Sequence, residues 1–158
     1  WEWEWEPPHV FDPRMEHHSS TFEGLVRHAW IHLGMREPDE AERLCIQALQ
    51  RVPGHAPCLT IMGRVMFARG KEARARALAR ASIDRDPNYV GGFVLLSELL
   101  EAQGTGLLAG GDLEGAYESY RKILLLDVAA QGGKVPRGAV TGAHYGMGVV
   151  MEAAGAEP

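Results

Sequence analysis

The sequence predicts an all-α fold, a short solenoid of stacked helical hairpins, and three observations carry that prediction. Pro53 and Pro87 stand 34 residues apart and enclose two helical patterns separated by one break at Arg69-Gly70. Apolar and small residues on either side of the break recur three and four positions apart, the period of a helix face. The stretch Met147-Gly148-Val149-Val150-Met151-Glu152-Ala153-Ala154-Gly155 then repeats Met62-Gly63-Arg64-Val65-Met66-Phe67-Ala68-Arg69-Gly70 nearly position by position. Two-helix units at such a period stack so that each buries its apolar face against its neighbours.

Residues 1–20 stand apart as an extended segment and linker. In WEWEWEPP, strict alternation puts Trp1, Trp3 and Trp5 on one face of a strand and Glu2, Glu4 and Glu6 on the other. Three tryptophans on one side form a large apolar load. They read as a docking strand for a groove of this chain or of a neighbouring copy, against the alternative of a cut end. A chain that opens on Trp1 rather than Met is expected to be a trimmed piece. Asp12-Pro13 and Ser19-Ser20 supply turn and cap chemistry, and Ser20 or Thr21 is expected to cap the first helix, with Glu23 in its first turn.

The solenoid occupies 21–158, with repeats at about 22–55, 56–89 and 90–130 and a partial one at 141–158. In the first, Leu25 and Ala29 face Ala41, Cys45 and Ala48, and Pro38 sits where a helix start tolerates proline. In the second, Leu59, Met62, Gly63 and Met66 line the first helix, and Ala75, Ala79 and Ser82 the second. Gly70 supplies the permissive turn, and Asp86-Pro87 ends the unit. In the third, Phe93, Leu96, Ser97 and Leu100 keep the frame, and Gly104 falls at the turn. The stretch 104–110 then reads as an insertion between the two helices, after which Ala116, Tyr120 and Ile123 resume the inner face and Val128 replaces the closing proline. A second irregular connection is expected from Ala129 to about Thr141, followed by a first helix without a partner.

This pattern of large, small and large apolar residues, alanines and a closing proline in 34 residues resembles the tetratricopeptide repeat (TPR) family. The resemblance covers roughly Phe22 to Gly155. It implies a right-handed α-solenoid whose first helices line a concave groove for a partner peptide or helix. Carried over position by position, the groove residues are Val26, Trp30 and Leu33; Thr60, Arg64 and Phe67; Val94, Glu98 and Glu101; and Tyr145, Val149 and Glu152. The groove would be apolar and weakly basic at its start and acidic toward its end, fitting a partner with an apolar anchor and a basic tail. The basic, asparagine-containing clamp of chaperone-binding members is not apparent.

Composition narrows the alternatives. The net charge of -5 argues against nucleic acid as the main partner. The apolar run Ile123 to Leu126 is far too short to span a bilayer. The chain is expected to be soluble, cytoplasmic or exported behind a removed leader. His28 and His32, four apart, share a helix face and are weak candidates for metal, with no HExxH and no Cys or carboxylate alongside. Lys71, Arg74, Arg76, Arg80 and Arg85 read as a solvated outer face. The glycines at 104–111 lack the Lys-Ser/Thr of a phosphate loop. Cys45 and Cys58 sit on apolar faces, as buried thiols or as a disulfide between neighbouring helices. No catalytic set and no cofactor emerge.

The expected function is therefore a non-catalytic adaptor or assembly subunit. The alternatives are a self-assembling subunit joined through the Trp1–Trp5 strand and a His-based metal protein. Light-scattering mass separates the first two: a mass that rises with concentration and drops to the monomer on deleting residues 1–8 is the outcome self-assembly requires.

Overall fold

The computed structural model describes residues 21–155, so the Trp1–Trp5 strand lies outside the described residues. Seven α-helices follow in order: α1 Phe22–Gly34, α2 Pro38–Arg51, α3 Ala56–Ala68, α4 Glu72–Arg85, α5 Val90–Ala109, α6 Leu113–Ala130 and α7 Arg137–Ala153. Each packs on the next, and α1, α3, α5 and α7 also touch in succession, so the odd helices form one row of the stack.

Local chemistry sets the helix ends. The Thr21 hydroxyl accepts from the Gly24 N–H at 3.1 Å and caps α1, above the acidic first turn of Glu23. Pro38 opens α2, and Pro57 lies in the first turn of α3. Asp112 caps α6 by accepting from Gly115 N. One turn design closes the three hairpins. Lys71 N–H donates to Met66 C=O and Gly70 N–H to Phe67 C=O, the paired bonds of a helix ending in a left-handed residue. Glu37 and Arg36 make the same bonds to His32 and Leu33, and Asp112 and Gly111 to Leu107 and Leu108. The left-handed residues are Arg36, Gly70 and Gly111, with φ of 61°, 75° and 83°.

The first two of those turns are 34 residues apart, but the third comes seven residues late. The stretch 104–110, expected as a loop, is instead helix: α5 runs for 20 residues, against 13 for α1 and α3. Seven residues make two helical turns with a drift of only about 20°. The added length therefore keeps the same face toward α6 while extending the hairpin by roughly 10 Å. The second irregular stretch also shrinks. With no proline at Val128, α6 continues to Ala130, and α7 starts at Arg137, leaving a six-residue connection, 131–136.

The inner faces match the predicted residues. Ala75, Ala79 and Ser82 are the buried residues of α4; Ala41, Cys45 and Ala48 are buried on α2, and Ala116, Tyr120 and Ile123 on α6. Close approach is forced where glycine meets a bulky neighbour. A Cβ on Gly63 would lie 2.7 Å from Leu95 Cδ2. Gly104, predicted at a turn, is buried inside α5, where a Cβ would lie 2.8 Å from the Tyr120 ring. Gly146 of α7 presses on the same ring at 2.6 Å. Tyr120 is thus a wedge among three helices, with its hydroxyl 3.3 Å from Thr105 Oγ1.

The internal repeat pairs Gly148 with Gly63, but Gly148 faces open space, and the close contact is made two residues earlier by Gly146. Adjacent hairpins are also joined at their loops. The Arg85 guanidinium lies against Gly54, and Lys134 Nζ donates to Pro87 C=O at 2.7 Å.

Two glycines on one helix therefore respond oppositely to alanine. Gly146→Ala should destabilise by about 1–3 kcal/mol through overpacking against Tyr120. Gly148→Ala should stabilise by up to about 1 kcal/mol, because an open helical position favours alanine. Urea denaturation of the two variants checks both signs.

Candidate functional site

The groove positions read from sequence fall on the row α1, α3, α5, α7, with unequal outcomes. Trp30 is 36% exposed and Tyr145 is 76% exposed, at opposite ends of the row. Val26, Leu33, Phe67 and Val149 are half-buried, the first three packed against the core. Val94 is also half-buried, and Glu98 and Glu152 are exposed. Arg64 of α3 and Glu98 of α5, 34 positions apart, form an ion pair at 3.0 Å. The Glu101 carboxylate is aimed at α7, with Oε1 2.9 Å from where a Cβ on Gly142 would stand.

Thr60 is the exception: it is fully buried and turned into the stack. Its Oγ1 lies 2.9 Å from Ser82 Oγ, and Ser82 Oγ donates to Ala56 C=O at 3.0 Å. Ser82 has one proton and spends it on a carbonyl, so Thr60 must donate to Ser82. That leaves Thr60 an acceptor, and the Tyr89 hydroxyl hydrogen-bonds it. The chain of donors runs from Tyr89 through Thr60 and Ser82 to the first turn of α3.

Tyr89 was not among the sequence-predicted residues. It lies half-buried at the start of α5, near enough to Arg64 to feel its charge. Burial pushes its phenol above the ordinary tyrosine value. Its ring folds over Gly91, where any Cβ would meet it at 2.5 Å. The sequence signal was the pair Tyr89 and Gly91, an aromatic just ahead of a helix with a glycine two residues on.

The histidine candidates do not converge. His32 Nδ1 is 2.5 Å from Glu37 in the turn after α1. His28 and His32 border a recess against α2 with Glu40 and Arg43. Among the described residues no group of three metal-ligating side chains is assembled. The basic residues of α4 lie along its outer side, where Lys71, Arg74, Arg80 and Arg85 are exposed and Arg76 is 3.8 Å from Glu72.

A different cluster does converge, at the seam between the first two hairpins. Cys58, in the first turn of α3, has its Sγ 3.2 Å from His55 Nδ1. The His55 ring is set edge-on against Phe22, with centroids 4.8 Å apart. Cys45 of α2 interacts directly with Cys58, and both thiols are fully buried. The hydrogen bond from Cys45, and then that from His55, holds Cys58 below the ordinary thiol value, while Cys45 is pushed up by the same contact and by burial. The sequence spacing His-x-x-Cys across a helix start was the available signal.

These features define a protein with the fold of a TPR domain, an all-α solenoid of helical hairpins. No protein-family model matches the chain. Over 104 residues the chain is 24% identical to the DnaJ homolog subfamily C member 7 homolog of Schizosaccharomyces pombe, covering 63% of this chain and 22% of that relative. The chain thus spans about a fifth of the relative's length. In structure it is similar to the Sgt2 TPR domain from Aspergillus fumigatus, with a TM-score of 0.59 and 20% identity over 93% of this chain and 86% of that one. No described helix is long and apolar enough to cross a membrane.

The hydroxyl chain makes a ranked prediction. Thr60→Val removes the middle link at nearly constant volume and should cost about 1–2 kcal/mol, because both neighbours lose a partner. Tyr89→Phe removes only the outer link and should cost less than about 1 kcal/mol. Thermal unfolding that ranks them in the reverse order would refute the assigned direction of donation.

Proposed function

We propose that this chain is a non-catalytic interaction module that holds a peptide or helix of a partner protein along α1, α3, α5 and α7. The observation that carries the reading is the exposure of Trp30 and Tyr145 at the two ends of the helix row. Large aromatics left in water on a rigid row are what a partner's apolar side chains would cover. Trp30, Phe67 and Arg64 are the anchors, and the carboxylates Glu98, Glu101 and Glu152 favour a basic segment beyond the apolar one. The two similar proteins support this reading: one is named as a DnaJ homologue and the other as a TPR domain, and neither name denotes a reaction.

The Arg64–Glu98 pair sharpens the test. Its side chains are 28% and 46% exposed, so its own contribution to stability is under about 1 kcal/mol. Arg64→Ala therefore leaves the fold in place and reports on binding. The direct experiment is calorimetric titration with amphipathic peptides carrying an apolar anchor and a basic tail, selected on an array. Trp30→Ala should weaken the selected peptide by roughly tenfold or more. Reversing Glu98 and Glu101 to Lys should weaken it further, and added salt should do the same to the unaltered chain. Peptides that bind equally well after both changes, or a consistent preference for acidic peptides, would overturn the proposal.

A further inference from the structure

We propose that Cys45 and Cys58 form a two-cysteine redox site, which a peroxide closes into a disulfide tying α2 to α3 across the seam between the first two hairpins. This inference is independent of any partner in the groove. It rests on three groups brought together by separate elements. Cys45 comes from the middle of α2, Cys58 from the first turn of α3, and His55 from the residue that precedes α3. The imidazole Nδ1 reaches the Cys58 sulfur at 3.2 Å, and Phe22 of α1 holds the ring edge-on. Elsewhere the inner faces of α2 and α4 are filled by Ala41, Ala48, Ala75 and Ala79, which supply volume without reactivity.

The positions assign different roles to the two sulfurs. A helix N-terminus and a neighbouring imidazole both favour a thiolate at Cys58. Cys45 has neither and keeps its proton. The Cys58 thiolate attacks one oxygen of hydrogen peroxide: an S–O bond forms, the O–O bond breaks, and hydroxide leaves and is protonated to water. The Cys45 sulfur then attacks the Cys58 sulfenic acid: the S–S bond forms, the S–O bond breaks, and the departing hydroxide takes the Cys45 proton as a second water. Two electrons pass from the sulfurs to the peroxide. Both thiols are fully buried, so the small, uncharged oxidant enters when the connection from Val52 to His55 opens. That connection is held by two backbone bonds, from Val52 N–H to Ala48 C=O and from His55 N–H to Val52 C=O.

The test uses the full chain, folded, with hydrogen peroxide as the oxidant. Thiol titration should show both cysteines lost together, and a non-reducing digest should yield a Cys45–Cys58 cross-linked peptide. The thermal midpoint should rise by several degrees and return on adding a dithiol. In Cys45→Ser the reaction should stop at a Cys58 sulfenic acid that dimedone traps. In Cys58→Ser the remaining thiol should react at least roughly tenfold more slowly, as a buried protonated thiol does. His55→Gln should move the pH midpoint of Cys58 alkylation up toward the ordinary thiol range, which a merely structural histidine would not do. Cross-linking seen only under denaturing conditions, or equal reactivity of the two single-cysteine variants, would overturn the proposal. If a serine variant fails to fold, the digest of the unaltered chain decides the question.

Discussion

The structure depends on how closely paired helices approach, and that distance is set where a side chain is missing. Gly63, Gly104 and Gly146 each stand where a Cβ would lie within 3 Å of a bulky neighbour. A hairpin of two short helices cannot bury enough surface alone, so its stability comes from stacking on the next. Stacking fails if the backbones are held apart by even one methyl group, because interiors are packed to crystal-like density. The glycines therefore fix the spacing, and Leu95 and Tyr120 fill the room left beside them. Tyr120 is the more demanding case, since one ring is shared by α5, α6 and α7.

The same constraint explains how α5 grew without disturbing the stack. A longer helix must return its glycine to the same face, or the contact with α6 is lost. Seven added residues satisfy this with about 20° of drift, whereas an addition of five would turn the face by about 140°. The extra turns include Gly106 and exposed Thr105, so their propensity for helix is poor. Packing of Gly104 against Tyr120 compensates, which makes this a case of tertiary contact overriding local preference.

Much of this was legible in the sequence, and what was missed has a physical cause. The 34-residue frame located α2, α3 and α4 because Pro38, Gly70 and Pro87 mark helix ends by sterics that need no tertiary context. The frame failed at Gly104 because a glycine at a turn and a glycine at a helix crossing look alike in one sequence. Arg36 holds a left-handed turn without glycine's help, so that turn was bounded by Pro38 instead. The exposed positions Trp30, Glu98 and Tyr145 followed the repeat. Thr60 did not, because its hydroxyl has a better partner inside, on Ser82, than water offers outside. Tyr89 and the His55–Cys58–Cys45 cluster are joined by contacts between repeats, and a reading that treats each repeat alone does not see them.

Those contacts between repeats differ in kind from seam to seam. At the first seam Arg69 reaches back to Asp39 and Glu42, but Asp39 is 94% exposed, so solvent screens much of that attraction. The buried link there is the pair of thiols. The second seam has the hydroxyl chain in addition to Arg64–Glu98, and the third has Tyr120 wedged between glycines, with Lys134 over Phe93 at 5.4 Å. Screened ion pairs contribute at most about 1 kcal/mol, while buried packing of a single large side chain contributes more. The first seam is thus held mainly by apolar packing and by the one contact whose covalent state chemistry can change. Trp30 lies on one side of it and Arg64 on the other, so a bond between α2 and α3 would fix the spacing of the two residues assigned as anchors.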